Sequence, residues 1–184
     1  MNLRPSAGFP PGALRRFRLQ LRDKTMRSIA CALALCVAPL SAAAGEALLG
    51  LGYEGLGDTS EGAGLASVDY WVEPRINLGP AGLTLGAAAE ADTQADLWAG
   101  FGPVLLVPLS DWRVEAAAFP GVYVRGPDGT DLGETIMFRL LLGVSREIRP
   151  GCRAGAYLQH KSNASIGDEN PGIESVLARV GRRF

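Results

Sequence analysis

The sequence predicts an all-β fold, an eight-stranded antiparallel transmembrane barrel, on three observations. From Gly45 onward no segment holds a helical period, whereas several alternate with period two, as a strand with one apolar face must. Eight such segments can be placed, separated by turns rich in Gly, Pro and Asp. One face of the segments is uniformly apolar, while the other carries charges of both signs at mid-strand, the pattern of a lipid-facing exterior and a polar lumen.

The chain has 184 residues, enough for one domain, and its N-terminus reads as separate from that domain. Residues 1–25 are basic and turn-rich, with Arg15, Arg16, Arg18, Arg22 and Lys24, and look like an over-extended start ahead of Met26. A twin-arginine signal at Arg15-Arg16 is disfavoured, because the apolar run begins far downstream. Ser28–Ala44 is apolar and ends in Ser41-Ala42-Ala43-Ala44, so 26–44 has the h-region and A-x-A site of a secretory signal peptide. It is short and Ala-rich for a membrane helix, which needs about 20 apolar residues. N-terminal sequencing of membrane-extracted protein should therefore begin at or next to Gly45; retention of the apolar segment would contradict the reading.

The exported part, 45–184, differs in charge from the whole. Seven of the 18 Lys and Arg and one of the 19 Asp and Glu precede Gly45, which leaves 11 against 18 and a net charge of −7. An acidic domain argues against nucleic acid as a partner. Cys31 and Cys36 fall in the signal, so Cys152 remains alone and no intrachain disulfide can form. Lipidation at Cys36 is disfavoured by the bulky Leu35 before it.

The eight strands are expected at roughly 46–56, 65–74, 82–91, 96–108, 112–125, 134–147, 151–162 and 173–184. Gly57-Asp58, Pro74, Gly79-Pro80, Asp92-Thr93, Ser110-Asp111, Pro127-Asp128-Gly129, Pro150-Gly151 and Pro171-Gly172 separate them. These segments exceed the usual globular strand of about 5–6 residues and suit a tilted span of about 9–11. In 112–125, Trp112, Val114, Ala116, Ala118, Val122 and Val124 oppose Arg113, Glu115, Ala117, Phe119, Gly121 and Tyr123. In 134–146, Ile136, Phe138, Leu140, Leu142 and Val144 oppose a face that includes Arg139. The polar face elsewhere holds Glu54, Asp69, Glu73, Glu90 and Arg153. Trp71, Trp98, Trp112 and Tyr123 lie near strand ends and are expected in interfacial girdles, and Phe184 closes the last strand. Eight strands close a barrel too narrow for a channel, so side chains fill it. With the first strand running outward from the periplasm, the last external loop is 163–172.

The chemistry converges at that end. His160, the chain's one histidine, and Ser162 are two residues apart and share a face with Leu158, Ala156, Ala154 and Cys152, which points them toward lipid. Glu174 opens the neighbouring strand on the face of Val176, Ala178 and Val180. A serine is a poor nucleophile until a base takes its proton and a third group orients that base, and these are the three residue types required. Polar residues on a lipid-facing wall are costly, which favours a functional role, although at headgroup depth the same residues cost little. Ser165 is a second candidate nucleophile, and Asp168 and Glu169 are alternative acids in the loop. Gly50-Leu51-Gly52 and Gly100-Phe101-Gly102 are followed by no helix and read as strand glycines, not phosphate loops.

His160-Lys161-Ser162-Asn163-Ala164, Gly167, Asn170-Pro171-Gly172-Ile173-Glu174 and Phe184 together resemble the C-terminal signature of the lipid A 3-O-deacylases, the PagL family. Pro120-Gly121-Val122-Tyr123, Asp131-Leu132-Gly133 and Phe138-Arg139 are similar to family members as well, so the resemblance covers roughly 97–184. It implies an eight-stranded outer-membrane barrel with Ser162 as nucleophile, His160 as base and Glu174 as orienting acid. Asn163 and Asn170 match positions near the oxyanion site. The implied substrate is the acyl ester at position 3 of lipid A in lipopolysaccharide, with no metal or other cofactor, and a homodimer is left open. Lys161, between His160 and Ser162 but on the opposite face with Gln159, Tyr157 and Arg153, departs from the family pattern and is expected to alter headgroup contacts. A non-catalytic structural or adhesin-like barrel would share everything but the triad, and an outer-membrane phospholipase or acyltransferase would share the chemistry.

Overall fold

The computed structural model describes residues 44–56 and 62–184; the over-extended start and signal peptide expected over 1–44 lie, apart from Ala44, outside the described residues. Nine strands follow in order: β1 (Gly45–Glu54), β2 (Ala63–Val72), β3 (Ile76–Leu78), β4 (Ala81–Asp92), β5 (Leu97–Leu109), β6 (Trp112–Val124), β7 (Ile136–Arg149), β8 (Cys152–Ser162) and β9 (Ile173–Arg183). Each long strand pairs antiparallel with its neighbours. β1 pairs with β9 from Glu46↔Arg183 to Glu54↔Ser175, and β2 pairs with β4, so eight long strands close into a barrel without a free edge.

The short β3 is the one strand that the period did not reveal. It pairs only with β4, at Ile76↔Leu83 to Leu78↔Ala81, as a hairpin over Gly79-Pro80. Three residues after Pro74 are too few to show alternation, and all three are exposed. The connections differ at the two ends. Two-residue turns at 110–111 and 150–151 sit at the end of the termini, while 125–135 and 163–172 form long loops at the other. That asymmetry is the one expected of short periplasmic turns and longer external loops.

The alternation expected from the sequence sorts the two faces correctly. Phe101 is 70% exposed, Leu158 62% and Leu142 56%, among a continuous band of outward aliphatic side chains. An apolar band of this size would be untenable in water and suits a bilayer. No helix among the described residues is long and apolar enough to cross a membrane.

The lumen is polar, and its charges are paired, as burial requires. Arg139 donates to Asp69 (2.9 Å) and Gln159 (2.7 Å) and lies 3.0 Å from Glu90. Its guanidinium sits 5.5 Å from the rings of both Trp98 and Phe119. Arg179 pairs with Asp69 and lies between Trp71 and Tyr157. Arg113 joins Glu46 (2.7 Å) and Glu115 (2.6 Å), and Tyr157 and Ser145 donate to Glu115.

These stacks correct the girdle expectation. Trp71 (1% exposed), Trp98 (2%) and Tyr123 are buried in the lumen, and of the four aromatics only Trp112 faces outward. Closeness to a strand end suggested an interfacial role, but side-chain parity decides the face, and these three fall on the parity of Asp69, Gly100 and Glu115. As lumen residues Trp71 and Trp98 give the buried guanidiniums aromatic faces to lie on, while Tyr123 donates its hydroxyl to Asp96. Glu73 is also corrected: it follows β2 and is exposed rather than lumenal.

Candidate active site

β8 carries His160, Lys161 and Ser162 to the outer rim. Antiparallel register sets His160 opposite Glu174 of β9 and Leu140 of β7, and Ser162 opposite Phe138. Because His160 and Glu174 are directly paired, their side chains leave the same face side by side. The imidazole Nδ1 lies 3.1 Å from Glu174 Oε1, with both side chains partly exposed. An Nδ1–H donated to the carboxylate leaves Nε2 as a lone-pair acceptor, the tautomer a general base needs. Ser162 lies on the same outer face and is largely covered. Among the described residues no hydrogen bond engages its hydroxyl; nucleophile–base contacts of this kind often tighten only when substrate is bound.

Lys161, between them, points the other way. Its ammonium is 2.9 Å from Glu54 and 3.2 Å from Glu90, and only 3% of its side chain is exposed. Lys161 therefore falls on the face that period-two geometry gave it, opposite the pair; buried there it does not itself meet headgroups, and it anchors the same stretch of β8 from inside the lumen. The carboxylates of Glu54, Asp92 and Asp96 lie within 4.8 Å of one another on that inner side of the wall, away from His160.

The loop after Ser162 is tied down by Asn163, which is fully buried. Its Oδ1 accepts from Ser165 N (2.9 Å), its Nδ2 donates to the carbonyls of Glu169 (2.5 Å) and Leu132 (3.3 Å), and its backbone N–H donates to Asn170 Oδ1 (3.0 Å). Those bonds hold Ala164 and Ser165 in left-handed backbone, at φ 53° and 60°, which costs non-glycine residues of order 1–3 kcal/mol each. Asn170 Nδ2 makes a longer contact, 3.4 Å, to Ser165 Oγ. Among the described residues, Ser165, Asp168 and Glu169 form no side-chain bond to His160, so the structure does not bring the alternative nucleophile and acids to the imidazole.

One residue at the site was not singled out from the sequence. Gly172 has φ +56°, and a Cβ there would stand 2.9 Å from His160 Cε1. The Pro171-Gly172 pair signalled a turn but not that its glycine packs on the imidazole. Gly172→Ala should therefore strain the turn and displace the ring, slowing chemistry that runs through the imidazole on the order of a hundredfold, as misplacement by about 1 Å can. Steady-state rates beside a gel assay of folding would check this.

A family model described as lipid A 3-O-deacylase (PagL) matches residues 57–183. The crystal structure of the outer membrane enzyme PagL matches with a TM-score of 0.59 at 18% identity, covering 76% of this chain and 99% of that one. Neisserial surface protein A matches with a TM-score of 0.50 at 14% identity, over 77% of this chain and 96% of its own. At such identities the likeness is one of fold, that of outer-membrane barrels. By sequence, no curated protein matches the chain. Neither the family match nor these structures supports the homodimer left open by the sequence.

Proposed function

The chain belongs to the lipid A 3-O-deacylase family, and on that premise we propose that it is an outer-membrane serine esterase that removes the acyl chain ester-linked at position 3 of lipid A. The observation that carries the reading is the His160 Nδ1–Glu174 Oε1 contact of 3.1 Å on the lipid-facing wall, two residues from Ser162. In the proposed reaction Ser162 Oγ attacks the ester carbonyl while His160 Nε2 takes its proton. The tetrahedral intermediate collapses, His160 returns the proton to the departing sugar hydroxyl, and an acyl-serine remains. Water, deprotonated by the same base, then releases the fatty acid. Glu174 holds the tautomer and stabilises the imidazolium.

Asn163 and Asn170 are the proposed neighbours of the oxyanion. Asn170 is the better direct donor, because both Asn163 Nδ2 protons are held by loop carbonyls while Asn170 Nδ2 makes only its 3.4 Å contact. Asn163 then serves by shaping the loop. The site's place on the outer wall suits a substrate that never leaves the bilayer: lipid A of the outer leaflet approaches laterally, its ester level with the ends of β8 and β9. Export to the outer membrane through a signal peptide over 26–44 belongs to the same proposal.

A fluorophosphonate probe tests the nucleophile in detergent. Labelling of the wild type at Ser162, absent from Ser162→Ala, is expected; a folded protein that resists the probe would favour a non-catalytic surface barrel. Hydrolysis of phospholipid in preference to lipid A would instead point to a phospholipase.

A further inference from the structure

A buried anchor outside the proposed triad is Asp96, in the connection between β4 and β5, three strands from β8 in the sheet order. It is 4% exposed, yet its carboxylate serves a different connection. Oδ1 accepts from Gly126 N (2.6 Å), and Oδ2 accepts from Thr130 N (3.0 Å) and from the Tyr123 hydroxyl (2.6 Å). All three donors belong to the top of β6 or the β6–β7 loop. Gly129 packs so closely on Oδ1 that a Cβ there would overlap it at 1.6 Å. Asp96 is itself held, since Asp92 Oδ1 accepts from the backbone N–H groups of Gln94 and Asp96 at 2.8 and 2.9 Å.

The folded loop is in turn what the site rests on. Arg125 ties it again, donating to Gly129 O and Asp131, and buried Leu132 presents its carbonyl to Asn163 Nδ2. Gly133 lies where a Cβ would meet Glu169 O at 2.8 Å, and Gly167 where one would meet Glu134 Oε1 at 2.6 Å. The two long loops are thus interlocked, and Asn163 follows Ser162 directly.

We propose that Asp96 is a positioning residue for ester hydrolysis: its carboxylate folds the β6–β7 loop into a shelf, and the shelf fixes the β8–β9 loop through Asn163. The inference deepens the esterase reading and rests on it for its catalytic half. Asp96 touches neither substrate nor the reacting atoms. Its effect falls on the rate of the bound complex, because the loop beside Ser162 is held in place rather than the lipid being gripped more tightly.

The test compares wild type, Asp96→Ala and Asp96→Asn, each folded into lipid vesicles, by hydrogen–deuterium exchange and by kinetics on lipid A. Asp96→Ala is expected to raise exchange over both 126–132 and 163–170 while β1–β9 stay protected. Its kcat should fall roughly ten- to a hundredfold with KM little changed. Asp96→Asn, which keeps one acceptor oxygen, should lie between. Faster exchange at 126–132 with 163–170 unchanged would overturn the proposal, as would loosening of both loops with kcat within about twofold of wild type. If Asp96→Ala does not insert, Asp96→Asn carries the test, and unchanged exchange in both segments overturns it. An inactive wild type would refute the esterase reading, while the exchange pattern would still decide the coupling of the loops.

Discussion

Ser162→Ala and His160→Ala are each expected to remove nearly all deacylation while leaving the barrel folded. General-base assistance alone is worth about 10²–10⁴-fold, and losing a nucleophile or base leaves only what binding and oxyanion contacts supply. Neither side chain helps hold the barrel closed: His160 lies on the outer wall, and Ser162 makes no side-chain hydrogen bond among the described residues. Glu174→Ala should lose most activity but keep a trace, since the imidazole survives without its orienting partner. Ser165→Ala should stay near wild type, because what Ser165 gives the loop is mainly its backbone N–H, bonded to Asn163. Rates on lipid A in detergent micelles, set beside the heat-modifiable gel shift of a closed barrel, separate loss of chemistry from loss of fold. Wild-type rates from a folded Ser162→Ala protein would remove Ser162 as nucleophile.

The largest effect on stability is expected inside the barrel, at Arg139. Its guanidinium has no exposed surface and joins β7 to Asp69 of β2 and Glu90 of β4 across the lumen. Removing one member of a buried charge network leaves its carboxylates with too little compensation and typically costs about 3–5 kcal/mol. Arg139→Met should lose that much in urea unfolding from lipid vesicles, even though methionine fills part of the space between Trp98 and Phe119. Arg179 and Lys161 remain to hold Asp69 and Glu90 in place, so the variant should still fold. A loss below about 1 kcal/mol would show that water, rather than the guanidinium, compensates those carboxylates.

Most of the barrel was legible because one physical rule, side-chain parity along a strand, governs it. The faces of β6, β7, β8 and β9 fall as alternation requires, and Glu174 and His160 could be put on one wall from their parities alone. Where parity was set aside, the reading failed. Trp71, Trp98 and Tyr123 were placed by nearness to a strand end, although Tyr123 shares its parity with Arg113 and Glu115. Lys161 was expected to alter headgroup contacts although parity had already put it on the face opposite His160 and Ser162. β3 escaped because three residues carry no period. At the site, residue types and spacing pointed to His160, Ser162 and Glu174. The grip of Asp96 on the β6–β7 loop, the seat of Leu132 under Asn163 and the packing of Gly172 on the imidazole were not legible. They join connections that are distant in sequence, and no local pattern encodes such contacts.

The esterase reading is tested most directly by mass spectrometry of lipid A from cells that express the protein, with each acyl chain mapped to its sugar position. The account predicts lipid A that lacks only the ester-linked chain at position 3, and unmodified lipid A from cells expressing Ser162→Ala. Intact lipid A beside folded, membrane-inserted wild type, or loss of a chain from another position, would contradict it.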